Sequence, residues 1–256
     1  MKICRFFYNN EIKLGGIQGD LIYELDSQDI FPPQQGNLKP GSLTRSEVKL
    51  LHPVVPSKII CVGRNYSAHA AELGNEVPKE PLLFLKAPSA IITDGEPIII
   101  PLQSRQVEHE GELAVIIKKS CKNLNGNDDP FQHILGYTCL NDVTARDLQK
   151  KDVQFTRAKS FDTFCPVGSF IETELDVSDL QVKTLVNGVV KQEGRTSQMV
   201  FPVDFLIRYI SNQMTLYPGD VIATGTPSGV SKLTPGDVCK VEIEGIGSLL
   251  NPVKSA

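Results

Sequence analysis

The sequence lacks a long apolar run, a dense run of basic residues and a phosphate-binding loop. No window approaches the roughly 18 apolar residues that a membrane helix needs, and the apolar run near the N-terminus is too short for a signal peptide. The 26 Lys and Arg residues and the 30 Asp and Glu residues give a formal net charge of −4, and no basic cluster could follow a phosphate backbone. The glycine-containing segment 225–229 lacks the lysine of a P-loop. We therefore expect a cytoplasmic protein that binds a small molecule and neither a nucleic acid nor a membrane.

The six cysteines form no C-x-x-C pair, which argues against a zinc site and against a disulfide framework. Most of them lie in apolar, strand-like runs, as Cys61 does after Ile59 and Ile60. We expect reduced, buried thiols.

Short apolar runs separated by turn residues dominate the first part of the chain. They predict a three-stranded meander of residues 3–8, 12–17 and 21–25. Residues 27–56 are rich in Gln, Pro, Gly and Ser and are expected to form a linker with one short helix near Ser46–Leu51. The pattern favours a small N-terminal β unit with its linker, residues 1–56, and a catalytic domain, residues 57–256.

From Lys58 onward the strand signals are frequent and the helix signals are few. A hairpin is expected at Leu185–Val190, where Asn-Gly suits a type I′ turn, and a helix over Val203–Asn212, which carries an apolar stripe. A second helix is expected to open at Thr144, with Asp147 completing a capping box. The fold class is therefore α+β and β-dominated. The other strands are expected at 59–62, 82–85, 97–100, 113–117 and 136–140.

The segment Val107–Ile117 runs from alternating acidic residues into branched aliphatic ones. In a strand, Glu108, Glu110 and Glu112 would point to the same side. Carboxylates at this spacing repel one another, and the same face continues into apolar positions, where unpaired charge is costly. A divalent cation would remove the conflict, and a ligand set of oxygens favours Mg²⁺, Mn²⁺ or Ca²⁺ over zinc. From these residues alone, an edge strand with a solvated acidic face explains the pattern equally well.

Asp142 lies between the strand expected at 136–140 and the helix expected from Thr144. A carboxylate at the end of a strand and beside a helix N-terminus could reach an ion on a neighbouring strand and become a third acidic ligand. It could equally serve only to cap that helix.

His69 and Glu72 stand three residues apart on a short helix that is expected to begin at Asn65 or Ser67 and to stop at Gly74. Their side chains can touch, and a carboxylate beside an imidazole fixes the tautomer and raises the basicity, as in a base that activates water. An exposed ion pair is the alternative. Because a helix of two turns is not stable alone, this one would act as a lid if it orders over a bound ligand.

Lys159 lies among small and aromatic residues in the segment Ala158–Pro166. A lysine in such a run is expected to be partly buried and could neutralise a substrate carboxylate or an enolate. The alternative is a lysine whose stem packs on the surface while its ammonium reaches solvent.

Together these segments resemble, in order and spacing, the fumarylacetoacetate hydrolase family over residues Lys58 to Pro252. The resemblance is strongest to the small members: acylpyruvate hydrolases, oxaloacetate decarboxylases and 2-hydroxyhepta-2,4-diene-1,7-dioate isomerases. The matching motifs are Val62–Tyr66 with His69 and Glu72, Phe84–Lys86, Glu110–Leu113, Asn141–Asp147, Ala158–Phe161 with Pro166, Val186–Gly188 and Gly219–Pro227.

The resemblance implies a Mg²⁺ or Mn²⁺ ion bound by Glu110, Glu112 and Asp142. Glu108 lies outside this ligand set and would either support the ligands or be solvated. The family's fold is a mixed β-roll or sandwich with a few flanking helices, here preceded by the small N-terminal meander, and its small members form homodimers. The longer N-terminal domain of fumarylacetoacetate hydrolase itself has no counterpart before residue 50, which argues against that substrate.

The resemblance also implies a mechanism. A 2-oxo acid chelates an octahedral ion through its carboxylate and keto oxygens. Lys159 would help to stabilise an enolate, and His69 with Glu72 would activate water. Arg64 and Thr226 would bind substrate. The leading hypothesis is hydrolysis or decarboxylation of a C–C bond in an acylpyruvate or oxaloacetate, giving pyruvate. An isomerase or tautomerase that only moves a proton and a non-catalytic 2-oxo acid-binding protein are the alternatives.

Overall fold

The computed structural model describes residues 1–26 and 38–256, and strands form most of its regular structure. Part of the expected linker, residues 27–37, lies outside the described residues. The α-helices are α1 (Ser67–Glu72), α2 (Arg146–Lys151), α3 (Thr156–Lys159) and α4 (Val203–Gln213), and short 3-10 turns occur at Arg45–Glu47, Pro88–Ala90, Pro130–His133 and Thr196–Gln198. The strands are β1 (Lys2–Tyr8), β2 (Glu11–Gln18), β3 (Leu21–Glu24), β4 (Leu43–Thr44), β5 (Lys49–Leu51), β6 (Ile59–Gly63), β7 (Leu82–Lys86), β8 (Ile91–Ile92), β9 (Ile98–Ile100), β10 (Val107–Glu108), β11 (Gly111–Ile117), β12 (Ile134–Asn141), β13 (Thr144–Ala145), β14 (Cys165–Pro166), β15 (Phe170–Glu172), β16 (Gln181–Val186), β17 (Val189–Arg195), β18 (Val221–Ala223), β19 (Val238–Ile243) and β20 (Gly247–Ser255).

Two large sheets and two small ones organise these strands. The main sheet has eleven strands in the order β4-β3-β2-β1-β15-β12-β11-β18-β6-β7, with β5 paired to β1. Its pairs are antiparallel except β18 with β6. The second sheet has the order β17-β16-β19-β20-β9, while β10 pairs with β13 and β14 pairs with β8. The β-dominated α+β fold expected from the sequence is confirmed.

Strand β11 is buried on both faces, as its nearly unbroken apolar run indicates. Leu113 and Val115 pack into a core cluster with residues of the second sheet and of α4. Ala114 and Ile116 belong to a separate cluster on the opposite face. Alternation along the strand places Glu112 on the same side as Ala114, so this carboxylate lies in the interior.

The N-terminal strands continue the main sheet. Strand β1 pairs with β15, with Ile3 opposite Ile171, so hydrogen bonding runs across the expected boundary at residue 56. The division into two domains stays a prediction. The short helix expected near Ser46–Leu51 is wrong: a 3-10 turn at Arg45–Glu47 leads into β5, which pairs with β1. The alternating burial of Val48 and Leu50 against β1 explains why the segment is extended.

The remaining expectations agree well with the structure. The ends of the expected strands and of the helix α4 lie within two residues of the observed ones. Asn187 and Gly188 have φ values of 51° and 79°, as a type I′ turn requires. All six cysteines are free and buried. No helix within residues 1–26 and 38–256 is long and apolar enough to cross a membrane.

Four neighbouring strands of the main sheet each have one end at the same edge. Strands β6 and β18 run parallel and end there, at Gly63 and Ala223. Strand β11 is antiparallel to β18 and begins at this edge with Gly111, which lies opposite Asn141 at the end of β12. The loops that follow or precede these residues are therefore brought together by the topology.

The close contact of β12 with β15 gives a stability prediction. A Cβ on Gly136 would lie 2.3 Å from the carbonyl oxygen of Glu172, and that oxygen belongs to backbone that cannot move away easily. Gly136→Ala should lower the free energy of unfolding by about 1–3 kcal/mol through overpacking. Urea denaturation of both proteins measures the difference.

The matched control is Gly126→Ala, whose new Cβ has no neighbour within 4 Å. A surface change of this kind should alter the unfolding free energy by less than about 0.5 kcal/mol. Equal effects of the two substitutions would contradict the close approach of β12 and β15.

Candidate active site

A cavity of about 390 Å³ opens at the edge where β6, β11, β12 and β18 meet. All residues that the sequence analysis assigned to the site line this cavity. These residues are Arg64, His69, Glu72, Glu110, Glu112, Asp142, Lys159 and Thr226. The structure thus brings together side chains separated by up to 162 positions in the chain, while their individual roles stay predictions.

Strand pairing brings Glu110, Glu112 and Asp142 together. The amide of Asp142 donates to the carbonyl of Glu110 over 2.8 Å, and the amide of Glu110 donates to Oδ1 of Asn141 over 2.9 Å. One carboxylate oxygen from each of the three acidic residues lies within 4.8 Å of the other two. All three side chains are buried, with exposures of 4%, 2% and 1%. A solvated acidic edge strand, the alternative left open by the sequence, is therefore excluded.

Three cations balance most of this charge. Lys159 donates to Oε2 of Glu110 over 2.8 Å and to Oδ2 of Asp142 over 2.6 Å. Lys86 donates to the other oxygen of Asp142 over 2.6 Å, and Arg146 contacts Oε1 of Glu110. Burial opposes ionisation of Glu110, but the charges of Lys159 and Arg146 outweigh it and hold the pKa of Glu110 below its usual range.

Lys159 remains protonated in this setting. Burial by itself disfavours the ammonium, but the carboxylates of Asp142 and Glu110 outweigh it and raise the pKa of Lys159 to about 12. The ammonium form of this side chain is therefore favoured, and it can donate hydrogen bonds and stabilise negative charge. The sequence predicted partial burial, and the structure buries the side chain fully, with 2% exposure.

Glu112 has no cation of its own among the described residues. Its Oε2 accepts a hydrogen bond of 2.7 Å from the amide of Gly225. Burial, followed by the neighbouring charges of Asp142 and Glu110, raises the pKa of Glu112 well above its usual range. A divalent cation at the three carboxylates would favour the ionised form of Glu112 and relieve this repulsion.

The donor set fits a hard divalent ion. It consists of carboxylate oxygens, which suit Mg²⁺ and Mn²⁺ better than zinc. Each oxygen has more than one lone pair, so the hydrogen bonds from Lys86, Lys159 and Arg146 still leave acceptor capacity for an ion. Glu110, Glu112 and Asp142 are therefore the residues that would hold the metal.

Glu108 is buried and supports this arrangement through Arg146. It accepts a hydrogen bond of 2.7 Å from Nε of Arg146, which also contacts Glu110. The segment from Val107 is not one continuous strand, because His109 and Glu110 separate β10 from β11. Of the two expectations for Glu108, the supporting position is confirmed and the solvated one is wrong.

Helix α1 carries the pair His69 and Glu72 over the cavity. Nδ1 of His69 lies 3.1 Å from Oε2 of Glu72, as the spacing predicted, and His69 is 4% exposed. The other oxygen of Glu72 accepts a hydrogen bond of 2.9 Å from the amide of Gly229. Because Nδ1 is engaged, Nε2 is the ring nitrogen left for a substrate.

The expected caps at both short helices are wrong. Asn65 does not cap α1; its side-chain amide donates to the carbonyls of Thr224 and Phe201 and so fixes the end of β6 to the turn after β18. Thr144 does not cap α2; its hydroxyl donates to the carbonyl of Asp142, and α2 begins at Arg146. At Asn65 a buried partner across the sheet competes with local capping. Thr144 instead lies in β13, whose pairing with β10 keeps the chain extended until α2 begins.

Arg64 and Thr226 differ in whether their side chains are free to bind a substrate. Arg64 has a φ of 59°, an uncommon backbone conformation for a bulky residue, and its side chain forms no ion pair with another described residue. The hydroxyl of Thr226 donates to the carbonyl of Gly111 over 2.9 Å and accepts from Gln192 over 2.7 Å. The hydroxyl hydrogen of Thr226 is therefore already used within the protein, which weakens its expected role as a donor to substrate.

Sequence reasoning missed Lys86, Arg146 and Gln192 as parts of the site. Lys86 is a single lysine in an apolar run, the same signal that singled out Lys159. Arg146 lay within the matching motif Asn141–Asp147 but was given no role of its own. Gln192 is fully buried and joins Gly111, Thr226 and the ring of His109 by hydrogen bonds of 2.7–3.0 Å. Gln192 lies in the polar strand β17, and its burial depends on the loop at Pro227. No local sequence pattern therefore predicts that it is buried.

The fold and the three buried carboxylates beside a His–Glu pair define a β-rich enzyme class with a site suited to a divalent metal. A family model described as "Fumarylacetoacetate (FAA) hydrolase C-terminal" matches residues 58–254. The chain belongs to the fumarylacetoacetate hydrolase family, as the resemblance of its motifs indicated.

Relatives in this family carry different reaction names. The human protein named oxaloacetate tautomerase FAHD2A, mitochondrial, is 43% identical over 224 residues, which cover 82% of this chain and 71% of that protein. The structure of 5-carboxymethyl-2-hydroxymuconate delta-isomerase from Mycobacterium smegmatis is 41% identical, with a TM-score of 0.91 and full coverage of both chains. Maleylpyruvate hydrolase from Sphingobium sp. SYK-6, solved with manganese(II) and pyruvate, is 30% identical, with a TM-score of 0.82 and full coverage of both chains.

The raised pKa of Glu112 gives a prediction for metal binding. A metal ligand must be ionised, so the ion competes with the proton that Glu112 holds. The affinity for Mg²⁺ or Mn²⁺ should therefore rise with pH, and binding should release a proton. Calorimetric titrations in two buffers with different ionisation enthalpies measure this release.

Glu112→Gln is the matched variant because it keeps the shape of the side chain and removes the titration. It should bind Mn²⁺ at least tenfold more weakly and show no linked proton release. Proton release of the same size in Glu112→Gln would assign the titration to another residue.

Proposed function

We propose that this protein is a divalent-metal-dependent enzyme that transfers a proton at C3 of a 2-oxo acid and so interconverts its keto and enol forms. The observation that carries the proposal is the shared cavity. It is lined by Lys159, by three carboxylates suited to a metal and by His69, whose Nδ1 lies against Glu72 and whose Nε2 has no partner among the described residues.

The side chains divide the chemistry between them. Lys159 uses two of its three N–H donors on Glu110 and Asp142, which leaves one for the oxygen that becomes negative when a 2-oxo acid enolises. His69 accepts or returns the C3 proton through Nε2, and Glu72 stabilises the imidazolium that forms. Arg64, which has no ion pair with a described residue, binds a substrate carboxylate.

A Mg²⁺ or Mn²⁺ ion at Glu110, Glu112 and Asp142 would supply Lewis acidity toward the substrate's carboxylate and keto oxygens. The carboxylates of Glu110, Glu112 and Asp142 form a carboxylate wall in the cavity. The pairing of β11 with β12 fixes the backbone of this wall. The base lies on a helix of only six residues, which is able to move during substrate entry.

Cleavage of a C–C bond with release of pyruvate is the second candidate function. It needs the same enolate stabilisation and, for an acylpyruvate, a water molecule activated by His69 and Glu72. The pyruvate bound to the manganese form of maleylpyruvate hydrolase supports this candidate. We place proton transfer first because two relatives above 40% identity are named oxaloacetate tautomerase and 5-carboxymethyl-2-hydroxymuconate delta-isomerase, and because one base is sufficient for it.

The two candidates are separated by one assay. The purified protein with Mg²⁺ should accelerate the decay of enol absorbance in oxaloacetate without forming pyruvate beyond the uncatalysed background. EDTA should abolish the acceleration, and added Mn²⁺ or Mg²⁺ should restore it. Pyruvate formed from oxaloacetate or acetylpyruvate in step with substrate loss would replace the tautomerase with the decarboxylase or the hydrolase.

A further prediction concerns His69. His69→Ala should reduce turnover by about 10²–10⁴-fold, because it removes the acid–base group. Binding of oxalate, which resembles the chelating end of a 2-oxo acid, should remain within about threefold of the wild-type value.

His133→Ala serves as the control, since His133 lies in a 3-10 turn away from the cavity lining and contacts the carbonyl of Lys119. Normal turnover in His69→Ala would favour a different base. Oxalate binding with no turnover in the wild-type protein would favour a non-catalytic 2-oxo acid-binding protein.

A further inference from the structure

A five-residue loop after β18, residues 225–229, donates a backbone amide to the site from each of its ends. The amide of Gly225 donates to Oε2 of Glu112 over 2.7 Å. The amide of Gly229 donates to Oε1 of Glu72 over 2.9 Å. One end of this bridging loop therefore contacts a metal ligand, and the other contacts the carboxylate that lies against the ring of the base.

Both ends of the bridging loop are packed closely against other parts of the chain. Gly225 and Gly229 have φ values of 102° and 103°, a region that glycine adopts far more readily than other residues. A Cβ on Gly225 would lie 2.7 Å from the Cβ of Asn65, and a Cβ on Gly229 would lie 2.0 Å from the carbonyl oxygen of Lys191 in β17. The loop therefore has little space in which to shift at either end.

The side chain of Gln192 holds the middle of the bridging loop. Its Nε2 donates over 2.7 Å to the hydroxyl of Thr226 and over 2.7 Å to the carbonyl of Pro227. Its Oε1 accepts a hydrogen bond of 3.0 Å from the amide of Gly111, at the start of β11. Both N–H donors of this buried amide are thus used on the loop, while its oxygen is fixed to the strand that carries Glu112.

Helix α1 depends on such contacts for its place over the cavity. A helix of six residues has little stability of its own. The hydrogen bond from Gly229 to Glu72 fixes this helix to the loop, and Glu72 in turn lies 3.1 Å from Nδ1 of His69. A misplacement of about 1 Å at a catalytic group can slow a reaction about 10²-fold, so the position of the loop matters for the base.

We propose that Gln192 is a positioning residue for the proton transfer. It fixes the bridging loop so that the amide of Gly229 holds Glu72, and with it His69, at a set place relative to the metal ligands. The inference rests on the proposed function, because it takes His69 as the base. Gln192 is not among the described residues that line the cavity, so it acts through the loop and not on the substrate.

A double-mutant cycle with Glu72 tests the assignment. Gln192→Met keeps a side chain of similar length and removes its hydrogen bonds. With oxaloacetate, kcat should fall about 10- to 10²-fold, while KM and the affinity for Mn²⁺ stay within about threefold of the wild-type values. In a Glu72→Ala background the same substitution should lower kcat less than about twofold further, because no carboxylate is left to be positioned.

Gln181→Met is the matched control. Gln181 lies on the neighbouring strand β16, is partly exposed and donates to Oε1 of Glu193 over 2.8 Å. It is not part of the cavity lining among the described residues. This variant should keep the wild-type kcat in both backgrounds.

A second pair of variants acts on the backbone and keeps the inference testable if Gln192→Met does not fold. Gly229→Ala would displace the loop from Lys191, and Gly236→Ala carries the same strain at a φ of 98° with no described neighbour within 4 Å of the new Cβ. Only Gly229→Ala should lower kcat at least tenfold. Only Gly229→Ala should also speed hydrogen exchange in α1 of the metal-free protein, a measurement that needs no turnover.

Each outcome decides between the explanations. Losses from Gln192→Met and Glu72→Ala that multiply in the double mutant would overturn the positioning role and leave the proposed function standing. A fall in kcat matched by an equal fall in Mn²⁺ affinity would assign Gln192 to the metal ligands instead. Absence of turnover in the wild-type protein would overturn the proposed function. Unchanged exchange in α1 of Gly229→Ala would separately overturn the hold of the loop on this helix.

Discussion

The repulsion among three buried carboxylates is the constraint on which the rest of the site depends. Glu110, Glu112 and Asp142 cannot remain together in an apolar interior unless positive charge and hydrogen-bond donors surround them. The protein supplies Lys159, Lys86 and Arg146 from three separate elements and an amide from Gly225. Lys86 ends β7 and Gly225 follows β18 in the main sheet, whereas Arg146 and Lys159 lie on the short helices α2 and α3. The fold is thus arranged so that one sheet edge can carry a dense negative charge.

The base is connected to this wall through a single loop. The amide of Gly229 holds Glu72, while Gln192 fixes Thr226 and Pro227 a few residues earlier in the same loop. Gln192 also accepts from the amide of Gly111, between two of the acidic ligands. Hydrogen bonds thus connect the three carboxylates to the His–Glu pair, although the two lie on different elements.

The sequence predicted the secondary-structure elements and the residues that line the cavity. It was less informative about the hydrogen bonds that join these residues. The strands, helix α4 and the cavity residues followed from hydrophobic pattern, turn chemistry and family motifs. The cap at Asn65 was wrong because a buried partner far along the chain competes with the local hydrogen bond. The cap at Thr144 was wrong because this residue belongs to β13, which pairs with β10. Lys86 and Gln192 were missed for a related reason. Their polar side chains are buried only because distant strands and loops cover them, and no local pattern records that.

The two lysines on Asp142 have a consequence for how the chain folds. Lys86 and Lys159 each occupy one oxygen of this carboxylate, so the most buried acidic ligand has internal counter-ions of its own. The chain does not need a metal to satisfy that charge while it folds, unlike a zinc finger, which is unfolded without its ion. Folding of this part of the sheet therefore does not require an ion, and an ion that binds there would meet a ligand whose charge is already compensated.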